Sequence, residues 1–433
     1  MKNIYRIHEN INHKEECKTE DGITNQIGLK EEWLHFLQYK MDYGHLNQME
    51  QKQFEQYIEE QQYLKMKQLI GEGKFPGEYA KKKIINKEGT NKKRVVYSYS
   101  KEVSITLKFI AYHLFRFDGI FCKNCYSFRH GYGVSDALLK IRDNKNDISK
   151  KYCLKVDIKN YFNSIDVEKL LEMLAFLKYD DEKLYTVFQN ILLEKNVVEN
   201  GKIIEENHGA MAGIPIAPFF ANLYLTEIDE QLEQLKVCYF RYSDDILLFA
   251  DTYEQLSEWQ DLLYKRLGML GLTINHSKEM ITSPGEEWEF LGFSYHNGVF
   301  DLSANSKRKI KAKIKRKAEA LRRWQRKKGL TSDKAAIGFI RAMNRKFFGN
   351  DHDEFQRKLE QYDGMENKKE DFTWSRWFFG NLTTDAGLKE VDKYMQEYIR
   401  YIVTGRHNKG NYKITYEQLK KWGYRSLVHE YYK

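Results

Sequence analysis

One stretch, KVCYFRYSDDILLFAD at 236–251, constrains the fold of this chain more than any other. Apolar runs at 237–240 and 246–250 flank a short polar break, and this pattern predicts a β-hairpin. The break contains adjacent carboxylates, Asp244 and Asp245, which can both project from the tip of a hairpin turn. Two like charges at the end of apolar strands are costly without a neutralising cation. The pair therefore favours a divalent ion with oxygen ligands, Mg²⁺ by default.

A further carboxylate, Asp157, lies in a second strand-like stretch, KYCLKVDIKNYFNSID at 151–166. Apolar residues at 154, 156 and 158 alternate along one face of the predicted strand, which places Asp157 on the other face. A bulky ring, Phe162, follows where this strand ends. Tyr-x-Asp-Asp alone is weak evidence, because a chain of this kind contains it by chance about once in ten cases, and Asp-Asp is common in surface turns. The third carboxylate strengthens the interpretation as a metal site.

The positive charge of the chain is concentrated in one segment. Residues 307–328 contain thirteen Lys or Arg and one acid, Glu319, a local balance of +12. Because the whole chain carries +9, the remaining residues sum to −3. Apolar residues at 310, 314, 318 and 321 form one stripe of a predicted helix, and basic residues cover its other faces. A concentrated stripe of this kind is typical of a face that binds a polyanion.

Composition predicts a folded cytoplasmic protein with two or three structural units in its 433 residues. The N-terminal stretch lacks the apolar run of a signal peptide, and no segment approaches the roughly 18 apolar residues of a membrane helix. The five cysteines are an odd number, which argues against a disulfide framework. Cys122, Cys125 and His130 resemble part of a zinc site, but no second ligand pair lies at suitable spacing, so ordinary thiols are favoured.

Several further segments have recognisable patterns. Helices are expected at 31–43 and 45–70, and then at 102–117 and 135–144. Between these pairs, β-like runs at 84–85 and 95–99 flank a turn with Lys87 and Arg94, which is either a solvated basic hairpin or a flap over a triphosphate. A Gly- and Pro-containing loop from 208 precedes a helix that begins near Pro218.

The remainder of the chain is predicted to be largely helical. A helix at 253–270 is followed by a β-like run at 271–282, which holds Lys278, and by a β-hairpin around 296–298. From Ser306 onward we expect helices to the end of the chain, including 334–347, 353–362 and 388–403.

In their order and spacing, these segments resemble the motif set of reverse transcriptases. The resemblance covers roughly residues 81–301 and, more loosely, the basic helix that follows. Each motif occupies the place that the family gives it: the fingers motif at Ser127-Phe128-Arg129, the first palm motif at Asp157 to Phe162, the template- and nucleotide-contacting loop and helix at GAMAGIPIAP (209–218) and ANLYL (221–225), the catalytic hairpin at Tyr242-x-Asp244-Asp245, the next motif at 271–278, and the primer grip at Phe290-Leu291-Gly292.

The loop departs from the family pattern. Pro-Gln-Gly and a Ser before the second proline are usual, whereas this chain has Met211, Ala212, Gly213 and Ala217. Such divergence resembles bacterial abortive-infection and defence-associated enzymes of unknown groups, which are related to group II intron and retron enzymes. Retron enzymes are the weaker match, because the tripeptide Val403-Thr404-Gly405 lies far past the primer grip.

The resemblance implies an α+β fold of the right-hand polymerase type. Its fingers and palm would combine an antiparallel sheet with helices, and an all-helical thumb and C-terminal region would follow. The corresponding domain boundaries are 1–75 for an N-terminal helical extension, 76–150 for fingers, 151–303 for the palm, and 304–433 for the basic thumb helix and helical C-terminal region.

The resemblance also implies a two-metal nucleotidyl transfer with two Mg²⁺ ions, or Mn²⁺ in their place. Asp157 and Asp244 would bridge the ions, with Asp245 supporting and the Ile158 carbonyl completing the coordination. Lys278 is a candidate general acid for pyrophosphate, with a solvated lysine as the alternative. The resemblance further implies that Lys87 and Arg94 bind the triphosphate and that Gly213 belongs to the nucleotide-contacting loop. It also implies that Phe162 excludes a 2′-hydroxyl.

Nucleic-acid contacts are implied at two places. Arg129 would touch the template, and residues 290–292 would hold the primer. On the basic helix, contacts to the template–primer backbone are expected from Lys307, Arg308, Lys311 and Lys315.

Three functional hypotheses remain open from the sequence. The first is RNA-templated DNA synthesis from dNTPs in anti-phage defence, with a dedicated non-coding RNA as one candidate template and a partner protein or a second copy of the chain as further candidates. The second is untemplated or protein-primed synthesis, suggested by the missing Gln and by Tyr431 and Tyr432. The third is a maturase-like RNA-binding protein.

Overall fold

The computed structural model of the chain describes residues 22–43, 46–86, 93–143, 147–349 and 374–433. Lys87 and the helix predicted at 353–362 lie outside the described residues. The chain divides into two compact units, Met1–Pro284 and Gly285–Lys433. The second unit therefore contains residues 290–292 together with the basic helix. Within the described ranges, no helix combines the length and the apolar character that crossing a bilayer requires.

Among the described residues, the first unit begins with four helices, and the last three of them bury aromatic side chains. They are α1 (Ile23–Gln26), α2 (Lys30–Tyr43), α3 (Gln48–Glu59) and α4 (Gln62–Gly71). The single helix predicted over 45–70 is wrong, because the backbone at Gln61 is left-handed with a φ of 53° and interrupts it. The ring of Trp33 stacks on Phe109 with centroids 4.1 Å apart, so this segment shares the core of the unit.

The remaining elements of the first unit alternate between strands and helices. Its strands are β1 (Ala80–Asn86), β2 (Lys93–Ser98), β3 (Tyr152–Asp157), β4 (Asn196–Glu199), β5 (Lys202–Glu205), β6 (Cys238–Tyr242), β7 (Asp245–Ala250) and β8 (Met280–Thr282). Its helices are α5 (Lys101–His113), α6 (Val134–Arg142), α7 (Tyr161–Ser164), α8 (Val167–Met173), α9 (Leu177–Asp180), α10 (Glu182–Leu193), α11 (Ala217–Tyr224), α12 (Thr226–Gln234) and α13 (Tyr253–Met269).

These strands form two four-stranded sheets. The predicted basic hairpin is present as the antiparallel pair β1 and β2, and its sheet has the order β2-β1-β4-β5. The second sheet has the order β6-β7-β3-β8, with β3 antiparallel to both neighbours. Residues 246–250 of β7 are all buried, since β7 is an inner strand whose two faces are both covered. This burial explains why its sequence is a continuous apolar run and does not alternate.

The strand predicted over 271–282 is mostly irregular. Only β8 at its end is a strand, and Lys278 lies in the turn that precedes it. The backbone N–H of Lys278 donates to the carbonyl of Asn275 over 2.8 Å, which is turn geometry. This error arises because an apolar and β-branched stretch satisfies the strand pattern even where a local turn competes with sheet pairing.

The second unit has a small sheet followed by helices, as predicted. The strands are β9 (Trp288–Phe290), β10 (Phe293–His296) and β11 (Val299–Leu302), and the helices are α14 (Ala304–Lys328), α15 (Ser332–Phe348), α16 (Trp374–Phe379), α17 (Ala386–Thr404), α18 (Tyr416–Lys421) and α19 (Leu427–Tyr431). The hairpin between β10 and β11 turns through Asn297 and Gly298, both at positive φ, the preferred chemistry of a two-residue turn. Helix α14 packs on α15 and α17.

A buried carboxylate, Asp392 of α17, fastens the C-terminal segment. It accepts hydrogen bonds from the Tyr424 hydroxyl at 2.7 Å and the Ser426 hydroxyl at 2.6 Å. It also accepts from the backbone N–H groups of Leu427 and Val428, at 2.9 and 3.1 Å, at the start of α19. Because Asp392 is only 4% exposed, its loss leaves these donors without an acceptor inside the protein.

Asp392→Ala is expected to lower the free energy of unfolding by about 2–4 kcal/mol, because buried donors lose their acceptor. Chemical denaturation of the full chain measures this change. Lys393→Ala, an exposed neighbour on the same helix, is the control and should change stability little. Equal effects of the two substitutions would contradict the anchoring role of Asp392.

Candidate active site

The hairpin of β6 and β7 presents its two carboxylates at a tight turn. Tyr242 and Asp245 are paired across the hairpin, so Ser243 and Asp244 form a two-residue turn. The backbone of Ser243 has a φ of 59°, the left-handed conformation that such turns need. Asp245 begins β7, while Asp244 remains in the turn. The two adjacent carboxylates therefore emerge from different backbone environments at one end of the hairpin.

The end of β3 brings the third carboxylate to the same place. Asp157 lies directly opposite Asp245 in the antiparallel register of β3 and β7. The next residue extends this pairing, since the Ile158 N–H donates to the Asp244 carbonyl over 3.3 Å. Asp157, Asp244 and Asp245, three residues singled out in the sequence, thus meet at one edge of the sheet.

Asp157 is held from a third direction by the turn before β8. The Asn275 side-chain amide donates to its carboxylate at 2.8 Å, and the Asn275 backbone N–H donates to its carbonyl at 2.8 Å. The Lys278 ammonium forms an ion pair with the same carboxylate. Lys278 therefore lies beside Asp157, although it comes from a turn and not from a strand, and its role as a general acid stays a prediction. Asn275 was not predicted, because an Asn in a turn has no distinctive spacing signal.

The electrostatics of this edge disfavour a fully ionised state. The pKa of the Asp244 carboxyl is raised to about 6, first by burial and then by the negative charges of Asp245 and Asp157. The Lys278 ammonium acts in the opposite direction. Ionised Asp244 therefore carries an electrostatic cost that a bound cation would remove.

The donor set fits a hard divalent ion, because carboxylate oxygens are the ligands that such ions prefer. Within the described part of the chain, no three acidic, His or Cys side chains already form a chelating group. One reason is local, since the Asp157 carboxylate is engaged by Lys278. Metal binding would therefore require Lys278 to give up this ion pair, which links the two residues functionally.

A buried ion pair supports the turn from below. Arg241 of β6 and Asp229 of α12 are 1% exposed each, and the Arg241 Nε lies 2.9 Å from both carboxylate oxygens of Asp229. Burial raises the pKa of the Asp229 carboxyl, and the Arg241 guanidinium acts against that rise. Arg241 also donates to the Ser243 carbonyl over 3.3 Å, which ties the pair to the turn. The sequence did contain a signal for this ion pair, because Arg241 ends the otherwise apolar stretch 237–241 and a buried charge needs a partner.

Ser127 and Asn222 complete this support. The Ser127 hydroxyl accepts the Ser243 N–H at 2.8 Å and donates to the Asn222 side-chain oxygen at 3.0 Å. The Asn222 amide donates back to the Ser127 carbonyl at 2.6 Å. Both residues are fully buried, so the backbone of the catalytic turn is fixed by groups from two distant segments. Sequence reasoning placed both residues in motifs but did not connect them.

Arg129 occupies a different environment from the one predicted. It is 9% exposed, and its guanidinium forms an ion pair with Asp118 at 2.7 Å. The same group donates to the carbonyls of Cys122 and Cys125 at 2.7 and 2.9 Å. These internal acceptors occupy the guanidinium, and the expected template contact stays a prediction. Arg129 stabilises the loop, and Phe128, the preceding residue, has an exposed aromatic side chain.

The loop with Gly213 joins the basic hairpin to helix α7, which follows β3. The Tyr97 N–H of β2 donates to the Ala212 carbonyl over 2.8 Å, and the Asn163 side chain accepts the Ala212 N–H at 3.1 Å. Gly213 has a φ of 107°, and a Cβ there would lie 2.9 Å from the Tyr97 carbonyl oxygen. Only glycine allows this close approach of loop and strand. Arg94 lies on the same strand, where it is exposed and paired in register with Ile85.

In the second unit, the predicted primer-grip residues form a tight turn between β9 and β10. Phe290 is 1% exposed, and both Leu291 and Gly292 have positive φ values of 51° and 93°. A Cβ on Gly292 would lie 2.9 Å from the Ser306 hydroxyl at the start of α14, so a side chain is excluded there. This turn is therefore built against the basic helix of its own unit.

The four predicted basic contacts of α14 fall into two classes. Lys307 and Lys311 form ion pairs with Glu390 of α17, at 3.0 and 2.5 Å. Arg308 and Lys315 are exposed. Binding of nucleic acid by Lys307 and Lys311 would compete with these ion pairs, whereas Arg308 and Lys315 are directly accessible.

Asp244→Asn is expected to raise the free energy of unfolding by on the order of 1–3 kcal/mol at pH 8 without metal, because the folded protein disfavours an ionised Asp244 whose pKa is about 6. The difference should shrink as the pH falls through 6 and should disappear only below about 4, where the carboxyl is protonated in both the folded and the unfolded chain. Thermal denaturation in EDTA across this pH range measures it.

Asp251→Asn is the control, since Asp251 follows the other end of β7 and its side chain is 74% exposed. Adding a divalent ion at pH 8 should stabilise the original chain and leave Asp244→Asn unchanged. A stability gain that does not depend on pH would contradict the assigned repulsion among the carboxylates.

Comparison with known proteins agrees with this geometry. Residues 85–295 match the family model described as reverse transcriptase (RNA-dependent DNA polymerase). The chain is similar to the retron Ec86 reverse transcriptase of Escherichia coli, with 23% identity over 171 residues that cover 39% of this chain and 49% of that protein. Its similarity to the E. coli retron Ec83 reverse transcriptase is 26% over 194 residues, covering 41% of this chain and 61% of that protein. The chain thus spans about half to three fifths of the curated relatives that it matches.

Among solved structures, the chain is similar to apo telomerase from Candida tropicalis, with 14% identity and a TM-score of 0.44. The match covers 80% of this chain and 69% of the telomerase chain. The described helices and largely antiparallel sheets, followed by a helical C-terminal region, confirm the α+β class expected of a right-hand polymerase. The matched segment contains Asp157, Asp244 and Asp245, and divalent-metal dependence is general in its family. Residues 85–295 therefore match the reverse transcriptase family, and the chain is similar to bacterial retron enzymes.

Proposed function

We propose that this chain synthesises DNA from dNTPs on an RNA template. The observation that carries the proposal is the register of β3 and β7, which sets Asp157 against Asp245 beside the turn with Asp244. Three carboxylates from two sheet strands and one turn match the donor requirement of nucleotidyl transfer with two metal ions.

The residues at this edge have distinct proposed roles. Asp157 and Asp244 hold two Mg²⁺ ions, or Mn²⁺ in their place, with support from Asp245 and from the Ile158 carbonyl. When bound, the ions supply the positive charge that activates a primer 3′-hydroxyl and neutralises the triphosphate. Asp244 must lose its proton to bind a metal, so binding weakens as the pH falls below about 6.

Lys278 has a role that depends on its release from Asp157. Its ammonium pairs with the Asp157 carboxylate in this structure. If Asp157 held a metal, the Lys278 ammonium would be released from this ion pair and could donate a proton to the leaving pyrophosphate as a general acid. Arg94 and Lys87 add positive charge to the triphosphate site. Phe162 lies at the exit of β3, where its ring would oppose a 2′-hydroxyl and so favour dNTPs.

The exposed side of α14 is the proposed nucleic-acid interface of the second unit. Arg308, Lys315 and Lys317 are exposed, and Trp324 on the same helix is 49% exposed. Basic side chains with an interspersed aromatic ring suit phosphate contacts and base stacking. The turn at 290–292 adjoins the start of this helix and contributes the primer contact.

The proposed biological setting is anti-phage defence in the bacterial cytoplasm, with a dedicated non-coding RNA as the template. The support is the retron relatives together with the altered loop at 211–217, which indicates a specialised substrate. A cognate partner protein or a second copy of the chain would complete the assembly.

Protein-primed synthesis is the second candidate, favoured by one observation. Tyr432 is 70% exposed near the end of the chain, whereas the Tyr431 hydroxyl donates to the Leu382 carbonyl at 3.0 Å. Tyr432 is therefore the more accessible of the two predicted tyrosines. A covalent DNA–protein product that is lost in Tyr432→Phe would identify this route, while free DNA complementary to a supplied RNA identifies templated synthesis.

Asp157→Asn and Asp244→Asn are each expected to reduce dNTP incorporation by at least about a hundredfold, because each removes a charged metal ligand. Incorporation on RNA template–primer duplexes with Mg²⁺ measures this. Asp251→Asn is the control and should retain activity. Absence of incorporation by the unsubstituted chain on varied templates would refute the polymerase proposal, and a phenotype that survives Asp244→Asn would favour the maturase-like alternative.

Arg308→Gln combined with Lys315→Gln is expected to reduce the slope of log affinity against log salt by about 0.7–0.9 for each phosphate contact removed. Binding of an RNA–DNA duplex between low and moderate salt measures the slope. Lys307→Gln combined with Lys311→Gln is the matched control and should change the slope less, because the single Glu390 carboxylate pairs with both ammonium groups and offsets part of their charge. A larger slope change in the control pair would contradict the assigned exposed face.

A further inference from the structure

The ring of Phe128 connects two elements of the candidate active site. It lies 6.2 Å from the Phe162 ring in an edge-to-face arrangement, with an interplanar angle of 75°. It also lies 6.3 Å from the Tyr242 ring of the catalytic hairpin. Phe128 is nevertheless 43% exposed, which is unusual for a phenylalanine with two aromatic neighbours. The ring therefore bridges Phe162 and the hairpin at an open surface.

The backbone that presents this ring is strained. Phe128 has a φ of 55°, and the left-handed region is unfavourable for a bulky side chain. Its neighbours hold this conformation in place, because the Ser127 hydroxyl binds the Ser243 N–H and the Arg129 guanidinium binds Asp118 and two carbonyls. Strain that the surroundings maintain so firmly is typical of functional positions.

Phe162 depends on its neighbours for a defined orientation. Its backbone carbonyl accepts the Ala210 N–H over 2.8 Å, which fixes the main chain. On one side its ring contacts Tyr161 at 5.7 Å, and Tyr161 is itself 2% exposed with its hydroxyl bound to the Ala221 carbonyl. The other described ring in contact with it is Phe128. The Phe162 ring thus lies between a rigid buried ring and the exposed ring of Phe128.

We infer that Phe128 is a positioning residue for sugar discrimination, acting through Phe162. The inference rests on the proposed function, in which the Phe162 ring opposes a ribose 2′-hydroxyl. Without the Phe128 ring, Phe162 gains rotational freedom and yields to the extra hydroxyl of an rNTP. The dNTP loses little from the same change, because it places no group against Phe162. The effect therefore falls on the ratio between the two sugars.

A purely structural role for Phe128 gives different expectations. An exposed ring contributes little burial, so its removal would change stability slightly and affect both classes of nucleotide equally. The ratio of dNTP to rNTP utilisation separates the two roles, because a general loss of folding or of activity cancels in it.

The test uses three substitutions in the full chain. Phe128→Asn removes the ring but keeps a residue that tolerates the left-handed backbone, Phe128→Leu keeps apolar bulk, and Phe128→Tyr keeps the aromatic contacts. The measurement is kcat/KM for single incorporation of a dNTP and of its matching rNTP. Phe128→Asn should lower the dNTP/rNTP ratio by about fivefold to 150-fold, the range for loss of two aromatic contacts. Phe128→Tyr should stay within about twofold of the unsubstituted chain, and Phe128→Leu should fall between.

Tyr132→Ala is the control from the same loop. Tyr132 is 38% exposed and stacks on Arg129 at 4.1 Å, with no ring contact to Phe162 among the described residues. It should leave the sugar ratio unchanged. An unchanged ratio in Phe128→Asn, or equal losses with both sugars, would overturn the inference.

Equilibrium binding separates this inference from the proposed function. Affinities for dATP and ATP, measured with Ca²⁺ in place of Mg²⁺, need no turnover. A chain that incorporates nothing but binds dATP in preference to ATP, and loses that preference in Phe128→Asn, would refute the polymerase proposal and support the inference. A chain without any sugar preference in binding or incorporation would overturn the inference.

Discussion

Repulsion among three carboxylates at one sheet edge is the constraint on which the first unit is built. The antiparallel register of β3 and β7 places Asp157 against Asp245, and the turn adds Asp244. Burial and neighbouring charge raise the pKa of Asp244 to about 6, so the metal-free edge is unfavourable when ionised. Lys278 offsets part of this cost through Asp157. A divalent ion would offset this cost more completely, so the repulsion among the carboxylates favours metal binding.

Such an edge keeps its geometry only if the backbone beneath it is rigid. The Arg241–Asp229 ion pair is fully buried, and breaking one partner of a buried pair generally costs about 3–5 kcal/mol. With Ser127 and Asn222 it fixes the backbone of the catalytic turn from two sides. A hydrophobic core of equal volume would stabilise the fold but would not orient the turn, because only hydrogen bonds fix its N–H and carbonyl groups. The polar network thus fixes the orientation of the turn that carries Asp244.

In the second unit, the basic side chains of α14 divide into those with an acidic partner on another helix and those that face solvent. Basic side chains on the inner side of α14, such as Lys307 and Lys311, are matched by Glu390, whereas Arg308 and Lys315 face solvent. The net charge of a segment therefore overstates the charge that a ligand meets. Partly buried Lys307 and Lys311 thus share an acidic partner, whereas exposed Lys315 lies 4.0 Å from Glu319 of its own helix. Under the proposed function, one helix would contribute both to folding and to polyanion binding.

Much of the fold and of the site could be predicted from local pattern. Apolar runs indicated β3, β6 and β7, and the residue types at 157, 244 and 245 predicted a divalent-ion site, because strand alternation and turn chemistry act between near neighbours in sequence. Tertiary structure alone decided that Arg129 is internal, that Asn275 holds Asp157, that Ser127 binds the catalytic turn, and that Lys278 lies outside a strand. Two of these contacts, Ser127 with Ser243 and Asn275 with Asp157, join residues that are more than a hundred positions apart in the sequence. The position of Lys278 depends instead on a local turn that competes with a strand. Local sequence pattern determines which secondary structure a segment can form. Tertiary packing determines which distant groups complete its hydrogen bonds and ion pairs.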